Sequence, residues 1–500
     1  MNSGSPIDRR KLLQGTLGLA AGAALARSAN AQLANRAPYG APSLAPVRLE
    51  LLAAPGTAQI QTGVTTNVWR YTGTQLSGSH RALLPIPGSH LGPAIRLFQG
   101  ERAIVRVTNQ LGEDHVVHWH GLDVPEDMDG HPMNQFAHGA SYTYDFTVLN
   151  RAGTYWYHSH TDMRTGIQAY RGLAGPLIVS DAQEQALPLP RGAFDLPLVL
   201  QDASFDAAGQ LSYSPLTMQD GFLGTTQLVN GKAGYVLPVA TRVYRFRVLN
   251  GATARVYKLA WSDGTPMVVI GNDGGLLAAP VTKPYVTLAP GERAELWADF
   301  RSHPVGSQFT LRSLPFSGVS NGQGAQLDLM QVHVTQAQPE TLQLPTSLST
   351  ITPYLPQQAL NWNTPRTFAI TRPMALPFVL NGAAFQMTGV AANEIVRRDT
   401  LERVRITNTA GPMIVAHPIH FHGRQFQVYS RSVSSTYLTG WQSLNQGFID
   451  QGWKDTVLVM PGETIDLLVR YTGYTGLFLY HCHNLFHEDM GMMRNLRVDP

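Results

Sequence analysis

Apolar and polar residues alternate with a period of two in three widely separated stretches of the chain. Arg102-Ala103-Ile104-Val105-Arg106-Val107-Thr108-Asn109 is echoed by Tyr244-Arg245-Phe246-Arg247-Val248-Leu249-Asn250 and by Leu401-Glu402-Arg403-Val404-Arg405-Ile406-Thr407-Asn408. Successive side chains on a strand point to opposite faces, so each stretch predicts a strand with one face in a core. Three copies of one pattern predict three related β-sandwich units. Further echoes agree: Val229-Asn230-Gly231 returns as Leu380-Asn381-Gly382, and Leu288-Ala289-Pro290-Gly291-Glu292 returns as Val459-Met460-Pro461-Gly462-Glu463.

A longer echo joins only the outer units. Gly153-Thr154-Tyr155-Trp156-Tyr157-His158-Ser159-His160 matches Gly476-Leu477-Phe478-Leu479-Tyr480-His481-Cys482-His483, while the middle copy near Gly306-Ser307-Gln308-Phe309-Thr310-Leu311 has no histidine pair. The first and last units therefore share a chemistry that the middle one lacks. Prolines cluster without periodicity at Pro188, Pro190 and Pro197, and from Pro339 through Pro345 to Pro353 and Pro356. Such stretches read as linkers and bound the expected domains at 45–183, 190–338 and 357–500.

Composition supports an all-β chain. The 500 residues exceed what one core organises, charged residues make up only 14 %, and 47 glycines with 33 prolines suit turn-rich β architecture. The net charge of +3 is accounted for by Arg9, Arg10, Lys11 and Arg27 against Asp8. The remainder is neutral, which gives no reason to expect nucleic acid as a partner. Residues 1–31 form a signal-peptide pattern: a basic start at Arg9-Arg10-Lys11, an apolar run from Leu12 to Ala26, and the small-residue site Ala29-Asn30-Ala31. The paired arginines before Leu12-Leu13 resemble the twin-arginine export type. No later stretch is long and apolar enough to span a membrane. The mature chain is thus expected in the periplasm or outside the cell, without a membrane anchor and as a monomer.

One cysteine, Cys482, cannot form a disulfide within its own chain, so it is an inert core residue, a ligand or a reactive thiol. Its surroundings favour the ligand. Ten of the 17 histidines lie in four short segments: His118 and His120; His158 and His160; His417, His420 and His422; and His481, His483 and His487. On a strand, residues two apart share a face, so each His-x-His pair presents two imidazoles side by side. His417, three before His420, should point the other way. Cys482 should likewise face away from His481 and His483 and join His417. His487 follows Cys482 by five residues and Met492 follows by five more, the C-x4-H-x4-M spacing of a type 1 blue-copper loop. One thiolate, two imidazoles and a thioether suit copper electron transfer rather than zinc. Eight imidazoles remain on the other face, four from each outer unit, enough for three coppers between them.

These residues resemble the multicopper oxidase family over essentially the whole mature chain. The resemblance implies three consecutive cupredoxin-like Greek-key β-sandwich domains and four copper ions. Carried over position by position, it assigns His417, Cys482, His487 and axial Met492 to type 1 copper, and His118 with His420 to type 2 copper. His120, His158, His160, His422, His481 and His483 would hold the type 3 pair. The implied reaction draws single electrons from a small reducing substrate and reduces O2 to water. Asp129 and Glu488 match positions that the family uses as proton relays; the plainer reading is a turn residue and a solvated helix residue.

His115 tests this reading, because His115-Val116-Val117-His118-Trp119-His120-Gly121 copies the spacing of His417 to Gly423. Ser159 stands where Cys482 should be and Arg164 where His487 should be, so His115 reads as no ligand. His80, His90, His131, His138, His303 and His333 lack partners at ligand spacing and read as surface or loop residues. Met490 and Met493 flank Met492, which the spacing prefers. For the reaction, oxidation of phenols or aromatic amines stands first. Oxidation of Cu(I) stands second, weakened because the 14 methionines form no Met-rich insertion. A non-catalytic exported scaffold or copper-binding protein is the reading from another class, and the intact ligands argue against it.

Overall fold

A computed structural model of the chain describes residue 42 and residues 45–214, 220–371, 376–409 and 414–500. The expected signal peptide, residues 1–31, lies outside the described residues. Strands dominate, and they form six sheets, two from each third of the chain.

In the first third, Thr66–Ser77, Val47–Ala58, Arg102–Asn109 and Ser141–Thr147 make one sheet. It faces a five-stranded sheet ordered Leu83–Leu84, Ala94–Phe98, Ala174–Ser180, Gly153–Ser159 and Val117–His118. Apolar residues from both sheets, among them Val105, Val107, Tyr144, Tyr157 and Leu177, fill one core. The last third repeats the plan. Its ligand-bearing sheet runs Ile395–Arg397, Met493–Asp499, Gly476–Cys482, His417–Phe421 and Thr456–Val459. Its core includes Val404, Ile406, Phe421 and Tyr480 together with Cys482 and Met492.

The period-two reading holds for Arg102–Asn109 and Leu401–Asn408, whose buried and less buried positions alternate. It fails in part for the middle copy. Every residue of Val243–Asn250 is buried, so its outward face is covered too. The arginines on that face are paired: Arg245 meets Glu184 and Glu295, and Arg247 meets Asp195 and Glu295. Thr154 of the first third also bonds Glu295, at 2.7 Å. The polar half of this strand is therefore an ion-paired contact between sandwiches rather than a wet surface.

Candidate metal centre

The two outer sandwiches bring their histidine strands together in one register. His118 sits opposite His158 on antiparallel strands, and His420 sits opposite His481. Eight imidazoles, at His118, His120, His158, His160, His420, His422, His481 and His483, converge with no solvent exposure. His120 and His420 stack at 3.7 Å across the junction, as do His118 and His422. Ring nitrogens of His118, His420 and His422 lie within 4.8 Å of one another, as do those of His160, His422 and His481, and those of His118, His120 and His158. His483 closes the cluster, its ring 5.0 Å from His120 and 5.3 Å from His158.

Hydrogen bonding sorts the two nitrogens of each ring. The outer Nδ1 of His118 meets the Asp129 carbonyl at 2.6 Å, that of His420 meets the Asp455 carbonyl at 2.8 Å, and that of His422 meets the Asp129 carboxylate at 2.7 Å. Their Nε2 atoms point inward, 3.4 Å apart for His118 and His420 and 3.1 Å apart for His422 and His481. His120 is turned the other way: its Nε2 meets Asp455 at 3.1 Å, and its Nδ1 has no partner. His158 Nε2 and both nitrogens of His483 are also buried without partners. Burial and mutual repulsion hold His118, His120, His420, His422 and His483 well below the ordinary imidazole pKa, and bring His158 to about 4 and His160 to about 3. At neutral pH these rings are uncharged, and His120 Nδ1, His158 Nε2, His160 Nδ1 and both nitrogens of His483 are buried with no partner among the described residues. Orphaned buried nitrogens cost free energy unless something binds them, and neutral imidazole suits copper. The residues fit a metal cluster.

The second group lies on the opposite face of the same strands, as side-chain parity requires. His417, Cys482 and His487 bring ligand atoms within 4.8 Å of one another, all buried. His417 Nδ1 is 3.3 Å and His487 Nδ1 is 3.6 Å from the Cys482 sulfur. Asn484 caps the short helix Leu485–Asp489 and so turns His487 back toward the thiol. The chain then returns so that Cys482 N–H donates to the Met492 carbonyl at 3.0 Å, which seats Met492, fully buried, in the core beside Cys482. Met493 instead pairs in the strand opposite His481.

Comparison with known proteins agrees with this geometry. Sequence profiles described as multicopper oxidase match residues 67–184 and 359–500. A laccase of Bacillus stratosphericus is 30 % identical over 477 residues, spanning 84 % of this chain and 92 % of that protein. The cell division protein FtsP of Xenorhabdus nematophila is 32 % identical over 433 residues, spanning 83 % and 85 %. Among solved structures, the McoA multicopper oxidase of Aquifex aeolicus superposes with a TM-score of 0.78 at 32 % identity, covering 93 % of this chain and 97 % of that one. The chain belongs to the multicopper oxidase family. It is a copper-dependent oxidoreductase with O2 as electron acceptor, built from all-β cupredoxin-like sandwiches.

Both carboxylates singled out in this multicopper oxidase reach the histidine cluster. Asp129 is fully buried and binds His422 as described, with its other oxygen 3.6 Å from His118 Nδ1. Burial pushes its carboxyl well above the usual carboxylate range. Glu488 is buried between His481, at 3.0 Å, and His160, at 3.5 Å, and is no solvated helix residue. The sequence reading missed Asp455. It groups with His120 and His420 within ligand distance, yet it belongs to no histidine motif; its one signal is its place beside Thr456–Val459, the strand paired with His417–Phe421. His115 is held by Tyr71 and Gln168, each at 2.9 Å, and joins no ligand group. His90 and His131, read as surface or loop residues, are buried instead, and His131 Nε2 bonds Asn495 at 2.9 Å.

Proposed function

We propose that this multicopper oxidase is laccase-like, oxidising phenols, aromatic amines or similar one-electron donors. In this reading His417, Cys482, His487 and Met492 hold type 1 copper, and His118 with His420 hold type 2. His120, His158, His160, His422, His481 and His483 hold the type 3 pair, giving four ions in all. Copper, when bound, supplies the redox chemistry: four electrons taken singly from donors reduce one O2 to two waters.

The observation that carries the reading is Cys482. Its sulfur faces His417 and His487, while its chain neighbours His481 and His483 belong to the eight-imidazole cluster. The backbone on either side of this residue is thus a covalent path between the site that meets the donor and the site that meets oxygen. Protons are also consumed. Glu488, between His160 and His481, and Asp129, against His422, can hold and pass a proton at their carboxylate oxygens. Burial favours the protonated form of Asp129.

Similarity to a protein named laccase supports the donor class. Similarity to a cell division protein keeps a scaffold role in view. The complete set of buried ligands favours catalysis. The sandwiches are taken to span 45–183, 190–338 and 357–500, in a monomer exported by a twin-arginine signal to the periplasm or beyond. Among the described residues no helix is long and apolar enough to cross a membrane. Oxygen uptake by the copper-loaded protein, measured with a phenol, an aromatic amine and Cu(I), tests the reading. Uptake with the organic donors is expected. Uptake with Cu(I) alone would transfer the assignment to metal-ion oxidation, and no uptake with any donor would leave the scaffold.

A further inference from the structure

The middle sandwich contributes none of the proposed ligands, yet one of its side chains reaches the edge of the cluster. Arg293, on the strand Arg293–Asp299, is fully buried. All five of its N–H donors are used. Nε donates to the Thr154 carbonyl of the first sandwich at 2.9 Å. Nη1 donates to the Gly291 carbonyl at 2.9 Å and to Asp455 Oδ1 at 2.7 Å. Nη2 donates to the Asp273 carbonyl at 2.9 Å and to Asp455 Oδ2 at 2.5 Å. One planar guanidinium therefore ties together all three thirds of the chain, a task for a rigid fork that a lysine ammonium cannot copy.

Asp455 passes this constraint to the histidines. Its Oδ1 lies 3.1 Å from His120 Nε2, and its carbonyl accepts from His420 Nδ1 at 2.8 Å. These are the outer nitrogens of two rings that stack face to face, within 10° of parallel. With Nε2 of His120 engaged, its unpartnered Nδ1 is left for the cluster. The packing is close enough to demand glycine on both sides. At Gly121, with φ +88°, a Cβ would come within 2.6 Å of Asp455 Oδ2 and 2.9 Å of Arg293 Nη2. At Gly291, with φ +85°, a Cβ would meet His483 at 3.0 Å and His120 at 3.2 Å. Lys454 reinforces the join, reaching Asp273 at 2.8 Å and Glu292 at 3.0 Å.

We propose that Arg293 is a positioning residue for the edge of the cluster where the type 2 ligand His420 stacks on the type 3 ligand His120, acting on both through Asp455. Through Arg293 the ligand-free middle sandwich is then a determinant of metal retention at one edge of the cluster, and none of the Arg293 hydrogen bonds reaches His417, Cys482, His487 or Met492. The inference rests on the copper assignment above. Outer partners of metal-bound histidines set ring orientation, and losing one costs about 10-fold or more in metal affinity.

The test compares Arg293→Met with Arg245→Met, which breaks an equally buried ion pair to Glu184 and Glu295 that touches none of the clustered histidines. Copper-loaded proteins are dialysed against a graded chelator, and the type 2 electron paramagnetic resonance signal is read against the type 1 blue absorption in each sample. Arg293→Met should lose type 2 signal at about 10-fold lower chelator with its blue band intact. Arg245→Met should lower Tm with the ratio of the two signals unchanged. An Arg293→Met protein with the wild-type ratio would overturn the proposal. If Arg293→Met does not fold, Asp455→Asn decides: an altered type 2 spectrum supports the proposal, and a wild-type spectrum overturns it. Absence of a type 2 signal from the wild-type protein would sink the copper assignment itself, a result distinct from either.

Discussion

The first and last sandwiches carry the same motif and treat its first histidine in opposite ways. In the last, His417 faces the Cys482 sulfur and His487 across a buried apolar setting. In the first, His115 occupies the matching place, and both of its nitrogens are already bonded, to Tyr71 and to Gln168. Ser159, in place of the cysteine, donates to the same Gln168 oxygen at 2.6 Å. Arg164, in place of the second histidine, has turned outward to pair with Glu113. The Gln168 amide nitrogen is spent on Glu113 at 2.7 Å. One glutamine thus plugs the position where a metal would sit. A proposed metal site and a structural hydrogen-bond network differ here in whether neighbouring side chains satisfy the polar atoms.

Two substitutions sharpen the contrast. The larger effect is expected at Glu488, for which the first sandwich has only Thr165. Glu488→Gln removes an ionisable group held between His160 and His481 and should slow oxygen uptake by about 100-fold, with the blue absorption retained. Uptake at the wild-type rate would return Glu488 to a packing role. A smaller effect is expected at Ser159. Ser159→Cys restores the thiol but neither the second imidazole nor a free His115, so no second blue band should form. Replacing the hydroxyl donor to Gln168 with a weak one should cost roughly 1 kcal/mol, read as a lowered Tm. A new blue band in this variant would show that the glutamine plug yields to metal.

The proposed ligands were legible because they are local. Each His-x-His pair is a two-residue pattern on a strand, and parity alone separated His417 and Cys482 from the pairs around them. The strand register then supplied what parity could not, setting His118 opposite His158 and His420 opposite His481. What escaped the sequence was whatever depends on contact between distant segments. Asp455 reaches His120 across 335 residues and Arg293 across 162, and no short motif marks either. The pairing of the arginines of Val243–Asn250 escaped for the same reason, since their acidic partners come from elsewhere in the chain. His131 read as a loop residue because its partner, Asn495, lies 364 positions away.

In the proposed assignment Cys482 belongs to one metal site and its two histidine neighbours to another. Copper content and electron paramagnetic resonance of Cys482→Ser, measured beside the wild-type protein, test it most directly. The variant should bind one copper fewer, lose the blue absorption and keep the type 2 signal. A variant that stays blue, or that loses the type 2 signal together with the blue band, would contradict the assignment.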